Sequence, residues 1–253
     1  MQWRRALGLL PLGLLLLVWQ LAVHFQVYPP VLLPPPAKVV MVFVEDWDTI
    51  LGNAVASIGR VALGITLSFL FAVPLGLMIG RYQLLDNMTD WSIQIFRSIP
   101  PISLIPLALL FLGIGDRPAI ALIFLAGTWP LLINTIFGVR GIERTLIKVA
   151  RAARASEFLV MKDIILPASM PAIFTGLRLA VGGGWLTVVT AEMIAVKSGL
   201  GYMILNAQLT FRSDLIIAGI IVIGGIGLLA DQAVRRVRAY VCRWQEGLTA
   251  TPE

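Results

Sequence analysis

Residues 143–167, ERTLIKVARAARASEFLVMKDIILP, decide how this chain is read. They form a polar interruption between two long apolar runs. Arg140, Arg144, Lys148, Arg151, Arg154 and Lys162 all fall within or just before them. Ile142, Leu146, Val149, Ala150 and Ala153 recur at three- and four-residue spacing, which predicts a short amphipathic helix. Ser156 is placed to cap a second helix, with Glu157 in its first turn, where a negative charge suits the helix dipole. Phe158, Met161 and Ile165 share one face of that second helix. The stretch therefore predicts two short helices, broken near Arg154-Ala155-Ser156 and stopped by Pro167. A connection this long and this ordered is usually functional, and it reads as a docking surface for a cytoplasmic partner. An amphipathic helix lying on anionic lipid would account for the cations. It would not account for the break, or for the Leu166-Pro167 and Pro171-Ala-Ile-Phe-Thr-Gly176-Leu-Arg that follow.

The polarity of this stretch stands out because the rest of the chain is apolar. Of 253 residues, 58% are hydrophobic and only 13% are charged, against about 25% in a soluble domain. The mean hydropathy is +0.88. One multi-span helical membrane domain is the economical reading. The net charge of +6 does not point to nucleic acid, because the cations sit where loops are expected and no basic stripe is interleaved with stacking aromatics. Cys242 is the only cysteine, which excludes an intrachain disulfide and a cysteine metal site. His24, also alone, reads as an interfacial side chain. The sequence has no G-x-x-x-x-G-K-[ST] phosphate loop, no H-E-x-x-H and no G-x-S-x-G, so neither an enzyme nor a cofactor site is expected in this chain.

Hydropathy predicts spans near 7–25, 54–79, 91–112, 119–137, 172–196 and 215–233, each close to the ~20 residues that cross a bilayer. No small-x-small cleavage site follows the first apolar run, so it is read as retained. With the N-terminus inside, Arg4, Arg5, Arg81, the cations of 140–162, Arg235, Arg236, Arg238 and Arg243 face the cytoplasm. Lys38, Arg117, Lys197 and Arg212 face outward. That asymmetry predicts both termini in the cytoplasm. The chain divides into an N-terminal span with an outer amphipathic segment (1–53), a transmembrane core (54–236) carrying the loop at 143–167, and a cytoplasmic tail (237–253). After a proline cluster, Val39, Val40, Phe43, Trp47, Ile50 and Leu51 predict a short helix on the outer surface.

Prolines 100, 101 and 106 break the third span. Irregular backbone at membrane depth needs protein or a polar cavity around it, so this span is expected to face the bundle interior. Gly182-Gly183-Gly184 in the fifth span reads as either close packing or a hinge. Charges inside spans are costly and mark partners or a wet path. Arg60 and Arg178 read as snorkelling from span ends. Glu192 is placed either to pair with an arginine or to form an outer gate. Arg97, beside the proline break, has a structural and a substrate-path reading of equal standing. The candidates for the path or gate are Arg97, Pro100, Pro101, Trp185 and Glu192. Those for the docking surface are Ala150, Ala153, Arg154, Ala155, Ser156, Glu157, Phe158 and Met161.

Val149-Ala-Arg-Ala-Ala-Arg-Ala-Ser156, followed by Ile164-Ile-Leu-Pro167 and Pro171 to Leu179, resembles the cytoplasmic loop motif E-A-A-x-x-x-G-x9-I-x-L-P of binding-protein-dependent ABC importer permeases. Lys148 stands where that motif has Glu, and Arg154 where it has the Gly of the break between coupling helices. Arg there meets a cost of roughly 1 kcal/mol if the position needs positive φ. Leu32-Leu-Pro34-x-Pro36, Ser57-Ile-Gly-Arg60, Arg97-Ser-Ile-Pro100-Pro, Phe111-Leu-Gly-Ile-Gly115, Thr190-Ala-Glu192 and Ser198-Gly-Leu-Gly201 are similar to the sulfonate/nitrate/taurine permeases, so the likeness covers nearly the whole chain.

The resemblance implies an all-α type I importer transmembrane domain, with about six spans, two short coupling helices and an outer surface helix. It also implies a bacterial inner-membrane location, a cytoplasmic ATPase dimer that binds the ATP, an external substrate-binding protein and a second permease copy. The implied cargo is a small anion of the nitrate, sulfonate/taurine or bicarbonate class, or alternatively a thiamine-precursor or flavin-like molecule. From another class, an ATP-independent carrier would transport without any ATPase, but it leaves the docking loop unexplained. A membrane scaffold would leave Arg97 unexplained.

Overall fold

The computed structural model describes residues 2–244; of the expected tail at 237–253, the first residues continue helix Ser213–Val241 and 245–253 lie outside the described residues. The described residues contain no strand. Helix α1 spans Gln2–His24, α2 Pro36–Glu45, α3 Trp47–Arg81, α4 Gln83–Arg97, α5 Ile105–Leu112 and α6 Asp116–Arg140. Helix α7 spans Arg144–Ala152, α8 Glu157–Val160, α9 Leu166–Ala195, α10 Leu200–Leu209 and α11 Ser213–Val241. Helix α3, the unit Glu157–Ala195 (α8 with α9), α6 and α11 are each long and apolar enough to cross a membrane. The pair Gln83–Arg97 and Pro101–Leu112, bent by 80°, makes a fifth crossing if counted together. Helix α1 occupies the place of the expected first span.

The core is built on α3, α6 and α9, which approach one another where side chains are missing. A Cβ on Gly64 of α3 would lie 2.6 Å from Ile123 of α6, and one on Gly76 would lie 2.7 Å from Thr135. Across the other seam, a Cβ on Gly138 of α6 would meet Ala172 at 2.7 Å, and one on Gly176 of α9 would meet Asn134 at 2.9 Å. Helix association inside a bilayer lacks a hydrophobic drive and depends on such close van der Waals packing. Ile123, Leu131 and Leu132 of α6 and Ile173 and Val188 of α9 are buried between these contacts. Of the glycine triplet, Gly184 is tightly packed, with a Cβ there 2.9 Å from Ile65, whereas Gly182 faces open space.

A short helix follows the proline cluster, but it is only α2, fixed at its start by Pro36 and packed through Val39 and Val42; Trp47, Ile50 and Leu51, expected on the same helix, belong to α3. Arg212 holds Asp46 beyond the end of α2 at 2.6 Å. Helix α3 then starts at Trp47, well before residue 54. Its 35 residues reach about 52 Å at 1.5 Å per residue, longer than a bilayer's apolar core of about 30 Å.

The polar stretch folds as two short helices with the expected break. Helix α7 ends with Arg154 in the left-handed region at φ 58°. The Ala155 N–H donates to the Ala150 C=O at 3.0 Å, the six-to-one bond of a Schellman cap. Arg154 is thus at the position that glycine usually fills. Ser156 caps α8, its Oγ accepting from the Leu159 N–H at 3.3 Å. Pro167 does not stop the chain. The helix widens to π geometry over Met161–Ile165 and continues directly into α9. Proline lacks the N–H for a bond four residues back and clashes with that carbonyl, and a wider turn removes both problems.

Two stability outcomes follow from this packing. Gly64→Ala should lower the melting temperature in detergent, at an overpacking cost of about 1–3 kcal/mol. Gly59→Ala on the same helix, where nothing lies within 4 Å, should not. Equal melting of the two variants would contradict the close α3–α6 seam. Arg154→Gly should raise the melting temperature, relieving roughly 1 kcal/mol of left-handed strain. Unchanged or lower stability would mean that the Arg154 side chain more than offsets its backbone.

Candidate functional site

The loop after α6 presents two faces. Its inner face is buried against the bundle: Ala150 packs with Val139, Ile142, Val160 and Ile165, and Ile147, Ala155 and Met161 are partly buried beside them. Its outer face is apolar and open, with Leu146 50%, Val149 62%, Leu159 47% and Phe158 75% exposed. Ala153, Arg154, Ser156 and Glu157 are exposed on the turn between α7 and α8. The Glu157 carboxylate takes two hydrogen bonds from Arg81 Nη2, at 2.9 and 3.1 Å. That ion pair ties α8 to the end of α3. The sequence-predicted docking residues therefore separate: Ala150 and Met161 fasten the loop, Ala155 sits at its edge, and Phe158 leads the open face. Of the single face expected for Phe158, Met161 and Ile165, Met161 and Ile165 turn to the bundle while Phe158 is 75% exposed.

At the opposite end of α3 a buried charge network joins four elements. Glu192 of α9 is fully buried and Arg60 of α3 is 6% exposed. Arg60 Nη1 donates to Glu192 Oε1 at 2.6 Å and to the Ser198 C=O at 2.9 Å. Its Nη2 donates to Ser198 Oγ at 2.5 Å and its Nε to Asp116 Oδ1 at 2.8 Å. Glu192 Oε2 accepts from Ser57 Oγ at 2.8 Å and from the Gly201 N–H at 3.0 Å. The site depends on glycine: Gly199 has φ +105° and a Cβ there would fall 2.2 Å from the Glu192 carboxyl carbon. Arg60 is therefore not a snorkelling residue. Its charge is neutralised in place, and removing one partner from such a buried pair costs about 3–5 kcal/mol. Asp116 is not among the residues the sequence points to, and Ser57 and Ser198 enter it only within the motifs similar to the sulfonate/nitrate/taurine permeases. The i, i+3 spacing of Ser57 and Arg60, which puts both on one helix face, was the available signal.

Arg97 lies apart from this network, exposed at the end of α4. It lines a cleft of about 210 Å³ with Asp86, Asp90, Gln94, Phe137 and Arg140. Pro100 is exposed, and Pro101 opens the 3₁₀ turn Pro101–Leu104. Helix α4 has no buried residue, whereas beyond the prolines Ile105 is buried against Ala119 and Leu122 of α6 and Ala191 and Ala195 of α9, so the broken span is interior only in its second half. At the break Ser98 Oγ donates to the Gln94 C=O at 2.8 Å and Ser103 Oγ to the Pro100 C=O at 2.7 Å. Beside it, Phe96 stacks on Trp129 with ring centroids 6.2 Å apart. Trp185 is elsewhere, 7% exposed between α9 and α11, its Nε1–H donating to the Ile223 C=O at 3.0 Å. Arg178 forms an ion pair with Asp231 of α11.

The chain is 33% identical to the taurine transport system permease protein TauC of Escherichia coli (strain K12) over 244 residues, 92% of this chain and 87% of that protein. It is 34% identical to the putative aliphatic sulfonates transport permease protein SsuC of Bacillus subtilis (strain 168), covering 94% of this chain and 87% of that one. Against the bicarbonate transport system permease protein CmpB of Synechococcus elongatus, identity is 37% over 78% of this chain and 69% of that one. An inward-facing structure of the MetNI methionine ABC transporter superposes with a TM-score of 0.68 at 17% identity, covering 77% of this chain and 96% of that chain. That likeness speaks to the fold alone. Residues 72–240 match the family described as binding-protein-dependent transport system inner membrane component. With its helical core, its two-helix loop and identities above 30% over most of its length, the chain belongs to that family, as an ABC importer permease of the taurine/sulfonate/bicarbonate type.

Proposed function

We propose that this chain forms the translocation path for a small anion of the nitrate, sulfonate/taurine or bicarbonate class, driven by a partner ATPase dimer. The observation that carries the cargo class is the chemistry in the relatives' names: sulfonates and bicarbonate are compact oxyanions. An external binding protein delivers the anion, and two copies of the chain enclose the path. Both termini and the α7–α8 loop face the cytoplasm, in keeping with the cation asymmetry of the sequence.

In this reading the open face of Leu146, Val149, Phe158 and Leu159 seats in the ATPase pair. Closure of the ATPases moves the loop as a body. The Glu157–Arg81 pair carries the motion into α3, and the continuous helix from α8 carries it into α9. Packed helices switch between discrete arrangements instead of deforming smoothly, so the bundle alternates between two states. At the far end, Glu192 with Arg60 holds α3, α9 and the 196–199 loop together and serves as the outer closure. Arg97, with Pro100 and Pro101, supplies a cation beside the path, and Trp185 braces α9 against α11.

Phe158→Ala should leave membrane level and melting temperature unchanged, because an exposed side chain contributes little to folding. Uptake driven by the ATPases should fall by about tenfold or more, the loss expected for an anchor at an interface. Normal ATP-driven uptake by this variant in reconstituted vesicles would remove the docking assignment, and uptake without any ATPase would favour an ATP-independent carrier.

Arg97→Ala should lower uptake without loss of folded protein, and Arg97→Lys should restore it only in part, since a point charge does not replace a bidentate fork. Wild-type uptake by the Ala variant would take Arg97 out of the path. Loss of the folded protein would assign it to structure instead.

A further inference from the structure

A second polar feature lies at the loop end, apart from the exposed docking face. The ends of α3 and α6 and the middle of α7 enclose a cleft of about 440 Å³. Arg81, Arg140 and Lys148 line it over an apolar floor of Ile142 and Ile147. Two of these cations are already engaged, Arg81 with Glu157 and Arg140 with Asp86. Both stand in the last turn of a helix, where a cation offsets the helix dipole. Neither argument covers Lys148. It lies within α7, not near a helix C-terminus of the bundle, and it makes no ion pair among the described residues. Arg81 also keeps its Nε buried without an acceptor, although its Nη2 is committed to Glu157. The cleft is thus lined by three cations and no carboxylate, two of the cations being paired with carboxylates outside its lining, over an apolar floor. Lys148 is also where the family motif carries a glutamate, so the excess positive charge belongs to this chain's own sequence.

We propose that this cleft binds a phosphate group, held by Lys148 and the guanidinium groups of Arg81 and Arg140. Tetrahedral oxyanions are the natural ligands of a site that combines a lysine ammonium with arginine forks, since each oxygen accepts a charge-assisted hydrogen bond. Two sources share that chemistry. On the proposed orientation the cleft opens at the cytoplasmic headgroup level, where anionic phospholipids draw basic segments to the surface. Free phosphate in the cytoplasm presents the same group. Bound there, the phosphate would bridge α7 to the ends of α3 and α6 and fix the loop's inner side while its outer face stays open.

The test uses the full-length permease purified in an uncharged detergent. Inorganic phosphate and dihexanoyl phosphatidylglycerol are titrated separately while the melting temperature is recorded. Sodium chloride at matched ionic strength and dihexanoylglycerol, which lacks the phosphate, are the controls. At least one phosphate-bearing probe should raise the melting temperature saturably above its control. A response to phosphatidylglycerol alone assigns the site to a lipid headgroup, and a response to inorganic phosphate assigns it to the free anion. Lys148→Glu should weaken the responding probe by about tenfold or more, the loss of one charge-assisted hydrogen bond plus an added repulsion. Lys148→Gln should weaken it less. Lys148 is exposed, so neither change should impair folding. No response to either probe beyond its control would overturn the proposal, as would a wild-type response from Lys148→Glu.

Discussion

Helices α3, α6 and α9 meet at points where no side chain separates their backbones, and this close approach sets everything else in register. Once Gly64 is against Ile123 and Gly176 against Asn134, the sliding of α3 along α9 is fixed. Arg60 then falls beside Glu192 at one end and Arg81 beside Glu157 at the other. The two arginines are 21 residues apart on one helix, about 31 Å at 1.5 Å per residue, which matches the thickness of a bilayer's apolar core. Helix α3 therefore acts as a rod clasped to the antiparallel α8–α9 unit at both ends. The two clasps differ in kind. At the Glu192 end the Arg60–Glu192 pair is buried and held by several hydrogen bonds, so it resists parting. The Glu157 carboxylate is 55% exposed, and an ion pair so open to water contributes about 0–1 kcal/mol. A bundle built this way is stiff at one end and adjustable at the end where the loop is carried.

Much of this was legible in the sequence, for identifiable reasons. The loop was readable because capping chemistry is local: Ser156 and Glu157 follow rules that need no tertiary information. The left-handed residue could be located because a glycine position in a known motif was occupied by Arg154. Helix existence followed from hydropathy, but ends did not. Helix α3 begins at Trp47, and its first turns pack beside α2 through Ile50, Val39 and Val42. Burial was the least legible property. Arg60 looked like a surface cation because its acceptors, Asp116, Glu192 and Ser198, are 56, 132 and 138 residues away in the chain. Conversely, the proline-broken segment reads as interior throughout but is so only in part: α4 before it has no buried residue, while Ile105 beyond it packs against α6 and α9.

The departures from the family motif have unequal weight. Arg154 keeps the backbone conformation that glycine would supply, so the architecture of the turn survives at a local cost. Lys148 changes no backbone at all. It reverses the sign of a charge on a helix face, which alters what the surface attracts while leaving how it folds untouched. The fold thus tolerates both changes, but only the second alters the chemistry that the loop presents.

The π segment at Met161–Ile165 has a consequence for how the loop and the bundle are joined. Val160 and Ile165, five residues apart, are both buried, which is the spacing of a π turn and not of an α turn. One residue more than α geometry requires is stored there, a phase offset of about 100° between α8 and α9. The segment works as a rotary spacer. It lets the loop's outward direction be set independently of the face that α9 turns to the core. Removal or addition of a single residue at this point would turn the loop about the α9 axis without breaking the helix. Related bundles could in this way aim the same loop at differently shaped partners while keeping an identical core.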